Sequence, residues 1–150
     1  MNIKHDEIAQ RRTAIALQKG QIVDYVTERQ MASKFQQYVK KCDVLWVFPD
    51  GTRAAIEIER TQKHARDLDM FIRSTLISLH NSDNPYKPDF VYLLTTKKCI
   101  KDAYEPAFAP GAKYNKWVKD KEINRWVKEE KKGVVPANLS AKVMFELIEK

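Results

Sequence analysis

The sequence predicts an α/β domain. Its centre is a mixed β-sheet, made of an antiparallel hairpin and a parallel crossover strand, flanked by helices. Two observations carry this. First, residues 43–48 and 53–59 are two runs rich in β-branched, aromatic and aliphatic residues, separated by Pro49-Asp50-Gly51. Proline presets φ for the first turn position, Asp tolerates the second, and Gly takes the left-handed third. Phe48 precedes a proline and is biased toward extended backbone, as a strand end should be. Second, an amphipathic stretch over residues 61–80 leads to F-V-Y-L-L-T-T at 90–96, apolar enough for an internal strand. Strand, helix and neighbouring strand in that order imply a right-handed crossover.

The remaining elements follow in chain order. Asp6 can cap a helix over residues 7–19, which Gly20 ends. Residues 22–26 are a short strand. Thr27 and Gln30 form a capping box for a helix over residues 28–40. In that helix Met31, Phe35, Tyr38 and Val39 fall at core spacing. Thr61 can cap the next helix, whose buried stripe is Ala65, Leu68, Ile72, Thr75, Leu76 and Leu79. That cap puts Lys63 in the first turn, against the helix dipole. Residues 81–89 are a loop by their turn residues. Residues 106–111 read as a break. Tyr114, Trp117 and Val118 make one apolar patch and Ile123, Trp126 and Val127 another, so two short helices or one bent helix are expected. Val143, Met144, Leu147 and Ile148 suit a terminal helix capped near Ser140. The expected domain is single, with its core at about 20–96 and a helical part at about 112–150.

The 150 residues can bury a proper core, and the net charge is +7. A pI near 9.4 favours a polyanionic partner, with nucleic acid ahead of a membrane surface. No signal peptide or long apolar run is present, so a cytoplasmic protein is expected. Cys42 and Cys99 form no spaced set with His5, His64 or His80, which argues against a zinc site or a disulfide framework. The sequence leaves a homodimer open.

The hairpin register can be derived. A three-residue turn with a Gly bulge joins Phe48 to Thr52. Stepping back along both strands sets Asp43 opposite Glu57. Alternation puts Glu59, Ala55 and Arg53 on the face of Glu57, with Ile56 and Ile58 pointing the other way into a core. Opposed like charges destabilise a sheet, by about 3 kcal/mol at ~5 Å and an effective dielectric of ~20. A divalent cation would turn that repulsion into attraction, and Mg²⁺ takes one or two carboxylates plus waters and substrate phosphates. Two such acids alone read as a solvated stripe. Glu59 as a third carboxylate, Lys63 near the strand end, and a concentration of acids in a basic chain favour a site.

Asp43, thirteen residues, then Glu57-Ile58-Glu59 resembles the PD-(D/E)xK nuclease core. The flanks narrow the likeness. His5-Asp6 before a first helix, Thr27-Glu28-Arg29 opening a second, and P-D-G-T-R-A-A-I-E-I-E-R-T-Q-K resemble the replication-relaxation family, which includes MobC-type mobilisation relaxases. The likeness covers roughly residues 5–96. It implies a restriction-endonuclease-like fold. It also implies Asp43 and Glu57 as metal ligands, Mg²⁺ as cofactor with Mn²⁺ as substitute, and DNA as partner. Cys42 stands where the motif has Pro, and Glu59 where it has Lys. A lone His near a helix start reads as structural or solvated, so His5 is left out of the site. Glu28 reads as a carboxylate complementing the helix dipole, with an outer place in the metal site left open by the resemblance.

The expected function is therefore a metal-dependent DNA endonuclease or nickase, acting in plasmid or mobile-element processing. Asp43 and Glu57 would bind metal, Glu59 would take a proton or extend the metal site, and Lys63 would approach the phosphate. The alternative is an inactive DNA-binding accessory protein of the same fold, which Glu59 at the motif's Lys position favours. A relaxase with a covalent tyrosine is a third reading, but nothing marks Tyr25 as a nucleophile. The lysine- and tryptophan-rich segment after Gly111 reads either as a nucleic-acid clamp or, preferred, as amphipathic helices with core tryptophans.

Overall fold

The structure is a computed structural model that describes residues 3–32 and 42–149. It has the α/β architecture expected from the sequence, a mixed five-stranded sheet flanked by helices. α1 (Ile3–Gln18) leads to β1 (Asp24–Thr27) and α2 (Glu28–Ala32). β2 (Val44–Val47) and β3 (Arg53–Glu59) form the hairpin, followed by α3 (Ala65–His80), β4 (Phe90–Thr95) and α4 (Lys98–Ala107). The last third adds β5 (Lys113–Tyr114), β6 (Trp117–Asp120), β7 (Arg125–Lys128), β8 (Gly133–Val134), α5 (Ala137–Ser140) and β9 (Val143–Leu147).

The main sheet runs β1-β2-β3-β4-β9. The first three strands pair antiparallel, and β3–β4 and β4–β9 pair parallel. β3 and β4 are thus internal, and both faces are covered. On one face Leu45, Ala55, Val91 and Leu93 pack with Phe71, Ile72, Leu76 and Leu79 of α3 and with Ile100 and Tyr104 of α4. On the other, Val44, Ala54, Ile56, Ile58 and Leu94 pack with Ala9 of α1. Trp46 Nε1 fixes α1 further by donating to Thr13 Oγ1 at 2.9 Å.

The hairpin forms as its turn chemistry requires. Val44 faces Ile56 and Val47 faces Arg53. Gly51 has φ 88°, where only glycine is unstrained. Asp50 Oδ1 accepts from the Thr52 amide and hydroxyl at 2.9 and 2.7 Å. These bonds hold the Asp50 carboxyl below its usual range, the hydroxyl first. The capping box is also formed, with the Thr27 amide donating to Gln30 Oε1 and the Gln30 amide to Thr27 Oγ1. Gly20, at φ 71°, lies just past the end of α1.

Several expectations are corrected. α1 starts at Ile3, so Asp6 lies in its first turn and does not cap it. The strand expected at 22–26 is shifted to Asp24–Thr27. The helix expected over 28–40 is described only as α2, and Phe35, Tyr38 and Val39 lie outside the described residues. α3 starts at Ala65, not after Thr61, and His64 before it is extended. Lys63 therefore lies in the link. Its amide donates to the Tyr104 hydroxyl at 2.8 Å, a partner outside the helix.

The last third departs most. The expected helical part at about 112–150 is mainly strand. β6 and β7 form a hairpin in which Trp117 faces Lys128 and Lys119 faces Trp126. β9 replaces the expected terminal helix and adds an edge strand beside β4. Edge-strand hydrogen bonds and burial of Val143 and Ile148 outweigh the helix propensity of Met144, Glu146 and Leu147. α4, which lies outside the elements expected from the sequence, buries Ile100 and Tyr104, with Phe108 buried just beyond its end. Gly133 of β8 lies so close to Tyr114 that a Cβ there would stand 2.2 Å from the ring. Among the described residues no helix is long and apolar enough to cross a membrane.

Candidate active site

The acidic residues stand at the C-terminal end of β3. The paired register of β2 and β3 ends at Val44 opposite Ile56, and the expected opposition of Asp43 to Glu57 is not formed: Asp43 lies toward α1 with Val44, and Glu57 lies toward α3 with Cys42 and Ala55. The Asp43 amide donates to the Ile56 carbonyl at 3.0 Å, one residue out of the Val44–Ile56 register, so the strand bulges at this point. Beyond it the backbone pairing stops and the Asp43 side chain takes over. Its Oδ2 accepts the Ile58 amide at 2.6 Å, where a partner strand's carbonyl would otherwise be needed. The same oxygen takes His5 Nε2 at 2.7 Å. Among the described residues Asp43 Oδ1 accepts no hydrogen bond.

His5 is the residue that sequence reading left out. It comes from the start of α1, far from the hairpin in sequence. The bond to Asp43 raises the imidazole's pKa above its usual 6.5, against the lowering effect of burial. The charges of Asp43, Glu59 and Asp6 add to the rise. No spacing rule links His5 to Asp43. Only the packing of α1 on the sheet brings them together.

Glu57 and Glu59 are both buried, at 7% and 5% exposure, which is rare for carboxylates without partners. Glu57 faces the α3 side among Met31, Cys42, Ala55 and Val91, where Ser78, Asn84 and Tyr86 help line a small void. Glu59, two residues on, accepts Lys63 Nζ on both carboxylate oxygens at 2.7 Å. Its Oε2 also accepts the Tyr104 hydroxyl at 3.1 Å. Burial raises the Tyr104 phenol well above its usual range, so it stays protonated and donates. Lys63 Nζ also lies 4.5 Å from the centre of the Phe71 ring. Tyr104 was not foreseen, because α4 was not. The signal was present in the four-residue spacing of Ile100, Tyr104 and Phe108, and in the Lys98–Asp102 pair one turn apart.

Asp43 also borders a cleft of about 890 Å³ between α1 and β1, whose walls include Asp6, Gln10, Tyr25, Glu28 and Arg29. Glu28 and Asp43 thus line the same space. Among the described residues no three His, Cys, Asp or Glu side chains converge as a set that could hold a metal ion. Mg²⁺ needs only one or two protein oxygens plus waters and phosphate, so either Asp43 or the Glu57–Glu59 pair alone could supply its protein oxygens. No protein-family model, curated protein or solved structure matches the chain.

Proposed function

We propose that the protein is a metal-dependent DNA endonuclease or nickase of the PD-(D/E)xK type, on a restriction-endonuclease-like fold. The observation that carries this reading is the gathering of three carboxylates at the end of an internal strand, Asp43 bonded to the Ile58 amide and Glu57 and Glu59 buried on β3. Charged groups so placed within a sheet are costly unless they serve a purpose.

Asp43 or the Glu57–Glu59 pair would hold the cation, with Mn²⁺ able to substitute for Mg²⁺. When bound, the metal supplies an acidified water and a counter-charge for the scissile phosphate. The protein's own groups do the rest. Lys63 brings an ammonium against Glu59, the residue at the motif's Lys position, and Tyr104 fixes the carboxylate from the other side. Lys63 thereby supplies the positive charge that residue 59 lacks. Glu59, held by both, is oriented to take a proton from an attacking water. His5 holds Asp43 in place from α1. The cleft beside Asp43 offers an approach for substrate.

One observation favours a second reading, an inactive DNA-binding protein with this fold. Glu59 is saturated by Lys63 and Tyr104, as a structural carboxylate would be. Cleavage of supercoiled plasmid with Mg²⁺ and with Mn²⁺ separates the two. Nicked or linear product that disappears with EDTA and with Glu57→Gln supports the enzyme. Intact plasmid bound by the protein in both metals supports the accessory reading.

A further inference from the structure

The β6–β7 hairpin is a two-stranded ribbon whose role the proposed chemistry does not use. Across residues 116–128 it carries Lys116, Lys119, Lys121, Arg125 and Lys128 against Asp120 and Glu122, a net charge of +3. Lys119, Lys121 and Arg125 are exposed and form no ion pair among the described residues. The ribbon makes no pairing with the main sheet. It is nevertheless held in one place. Asp69 of α3 accepts Trp117 Nε1 at 2.9 Å and the Asn115 amide at 3.2 Å. The Arg66 guanidinium stands 5.3 Å from the centre of the Trp126 ring, and Lys128 Nζ lies at the same distance from Trp117. Arg66 and Asp69 lie in the first turns of α3, just after the link that carries Lys63.

We infer that this ribbon is a contact element for duplex DNA, seating the phosphate backbone beside the carboxylate site. Lys119, Lys121 and Arg125 are the phosphate-contacting groups. A two-stranded antiparallel ribbon fits the major groove, and unpaired cations on both its faces, Lys119 on one and Arg125 on the other, are complementary to the phosphates along the two groove edges. The tryptophans argue against a lipid surface. Trp117 is committed to Asp69, and the exposed apolar groups are Val118, Ile123 and Trp126, with Val118 and Trp126 on opposite faces of the ribbon. Surface-lying segments that bind membranes need a broad apolar face.

The inference rests on DNA being the substrate, and it is tested apart from cleavage. Binding of a labelled ~20-base-pair duplex is measured in EDTA across a salt series, for the wild type, for K119A/K121A/R125A and for the charge-preserving K119R/K121R. Each phosphate contact contributes about −0.9 to the slope of log affinity against log salt. The triple variant should therefore lose roughly 2–3 from that slope, while K119R/K121R keeps it. A triple variant that binds duplex with the wild-type slope overturns the inference and leaves the nuclease reading standing. Salt-sensitive duplex binding that depends on the ribbon, in a protein that never nicks plasmid, upholds the ribbon and ends the nuclease reading. Failure of the wild type to bind duplex, together with ribbon-dependent binding to phosphatidylserine vesicles, overturns the DNA assignment of this surface.

Discussion

The molecule has two hairpins of opposite character. β2–β3 lies within the main sheet, covered on both faces, and carries acids at its open end. β6–β7 stands outside that sheet, is largely exposed, and carries cations. The first has buried charges that need partners. Asp43 has His5 and Glu59 has Lys63 with Tyr104. The second has charges that stay solvated and need no partner. A buried charge forces the surrounding fold to be specific, whereas an exposed one leaves the fold indifferent and is free to meet a ligand. In this molecule that divides the two roles proposed above, chemistry at the acidic hairpin and contact at the basic one.

The largest effect should fall on the acidic hairpin. Glu57→Gln should lower metal-dependent plasmid cleavage by at least about 100-fold, since a metal ligand and its charge are both lost. K119A/K121A/R125A should instead reduce cleavage mainly at low DNA concentration, through binding. Cleavage rates measured over a DNA titration tell these apart. Equal loss of the maximal rate in both would erase the division between the hairpins.

Next comes stability. Lys63→Ala would leave the buried Glu59 with Tyr104 alone, and removing one partner of a buried pair costs about 3–5 kcal/mol. Lys63 is about a third exposed, so screening reduces the expected loss to about 2 kcal/mol. Urea denaturation should show it as a lowered midpoint, and Lys63→Ala with Glu59→Gln should recover part. By contrast, Lys119→Ala should move the midpoint by less than about 0.5 kcal/mol, as exposed positions do. If both lysines behave alike, the pairing at Glu59 is not what holds the site.

The anchor of the ribbon gives a smaller effect. Trp117→Phe keeps an aromatic ring, smaller than the indole, and removes the hydrogen bond to Asp69, at a cost of about 1 kcal/mol. Because Asp69 also holds Asn115, the ribbon should stay folded but rest more loosely on α3. Hydrogen exchange should accelerate at the β6–β7 amides and stay unchanged at β2–β3. Uniform protection in the variant would mean that Asp69 does not set the ribbon's position.

The two hairpins also differ in how far their sequences could be read. Pro49-Asp50-Gly51 carries turn chemistry that admits one register, and that register holds as far as Val44 and slips by one residue at Asp43. The second turn has no glycine. Asn124 takes the left-handed conformation there, at φ 53°, which asparagine tolerates but does not announce. Paired Trp and Val residues then looked like two helical patches. The repeat W-V-K in both arms was the available sign, since antiparallel pairing sets each tryptophan against a cation of the other strand. β4 was legible because a long apolar run suits an internal strand, whereas β9 is an edge strand whose composition suits a helix equally well. Of the site, Asp43, Glu57, Glu59 and Lys63 were legible from local spacing. His5 and Tyr104 were not, because α1 and α4 reach the site only through tertiary packing.

The smallest effect is a dependence on pH confined to the acidic hairpin. His5 is bonded to Asp43, and its pKa in the folded protein is raised above the usual 6.5. Folding therefore favours the protonated imidazole. The stability this contributes is fully present below about pH 6.5, where the unfolded chain is protonated as well. It fades as pH rises through the higher folded value, where the folded protein too gives up its proton. Wild type should thus lose a small increment, under about 1 kcal/mol, as pH passes from 6 to 8, because the pair is partly solvated. His5→Gln should remove that slope. Asp43→Asn is the sharper variant, because an amide oxygen can still accept the Ile58 amide and keep the ladder closed. It removes only the charge that His5 senses most strongly. Urea midpoints for the three proteins at several pH values check this. A pH slope that survives Asp43→Asn unchanged would place its origin outside the His5–Asp43 pair. His5 would then hold α1 to the sheet by packing alone.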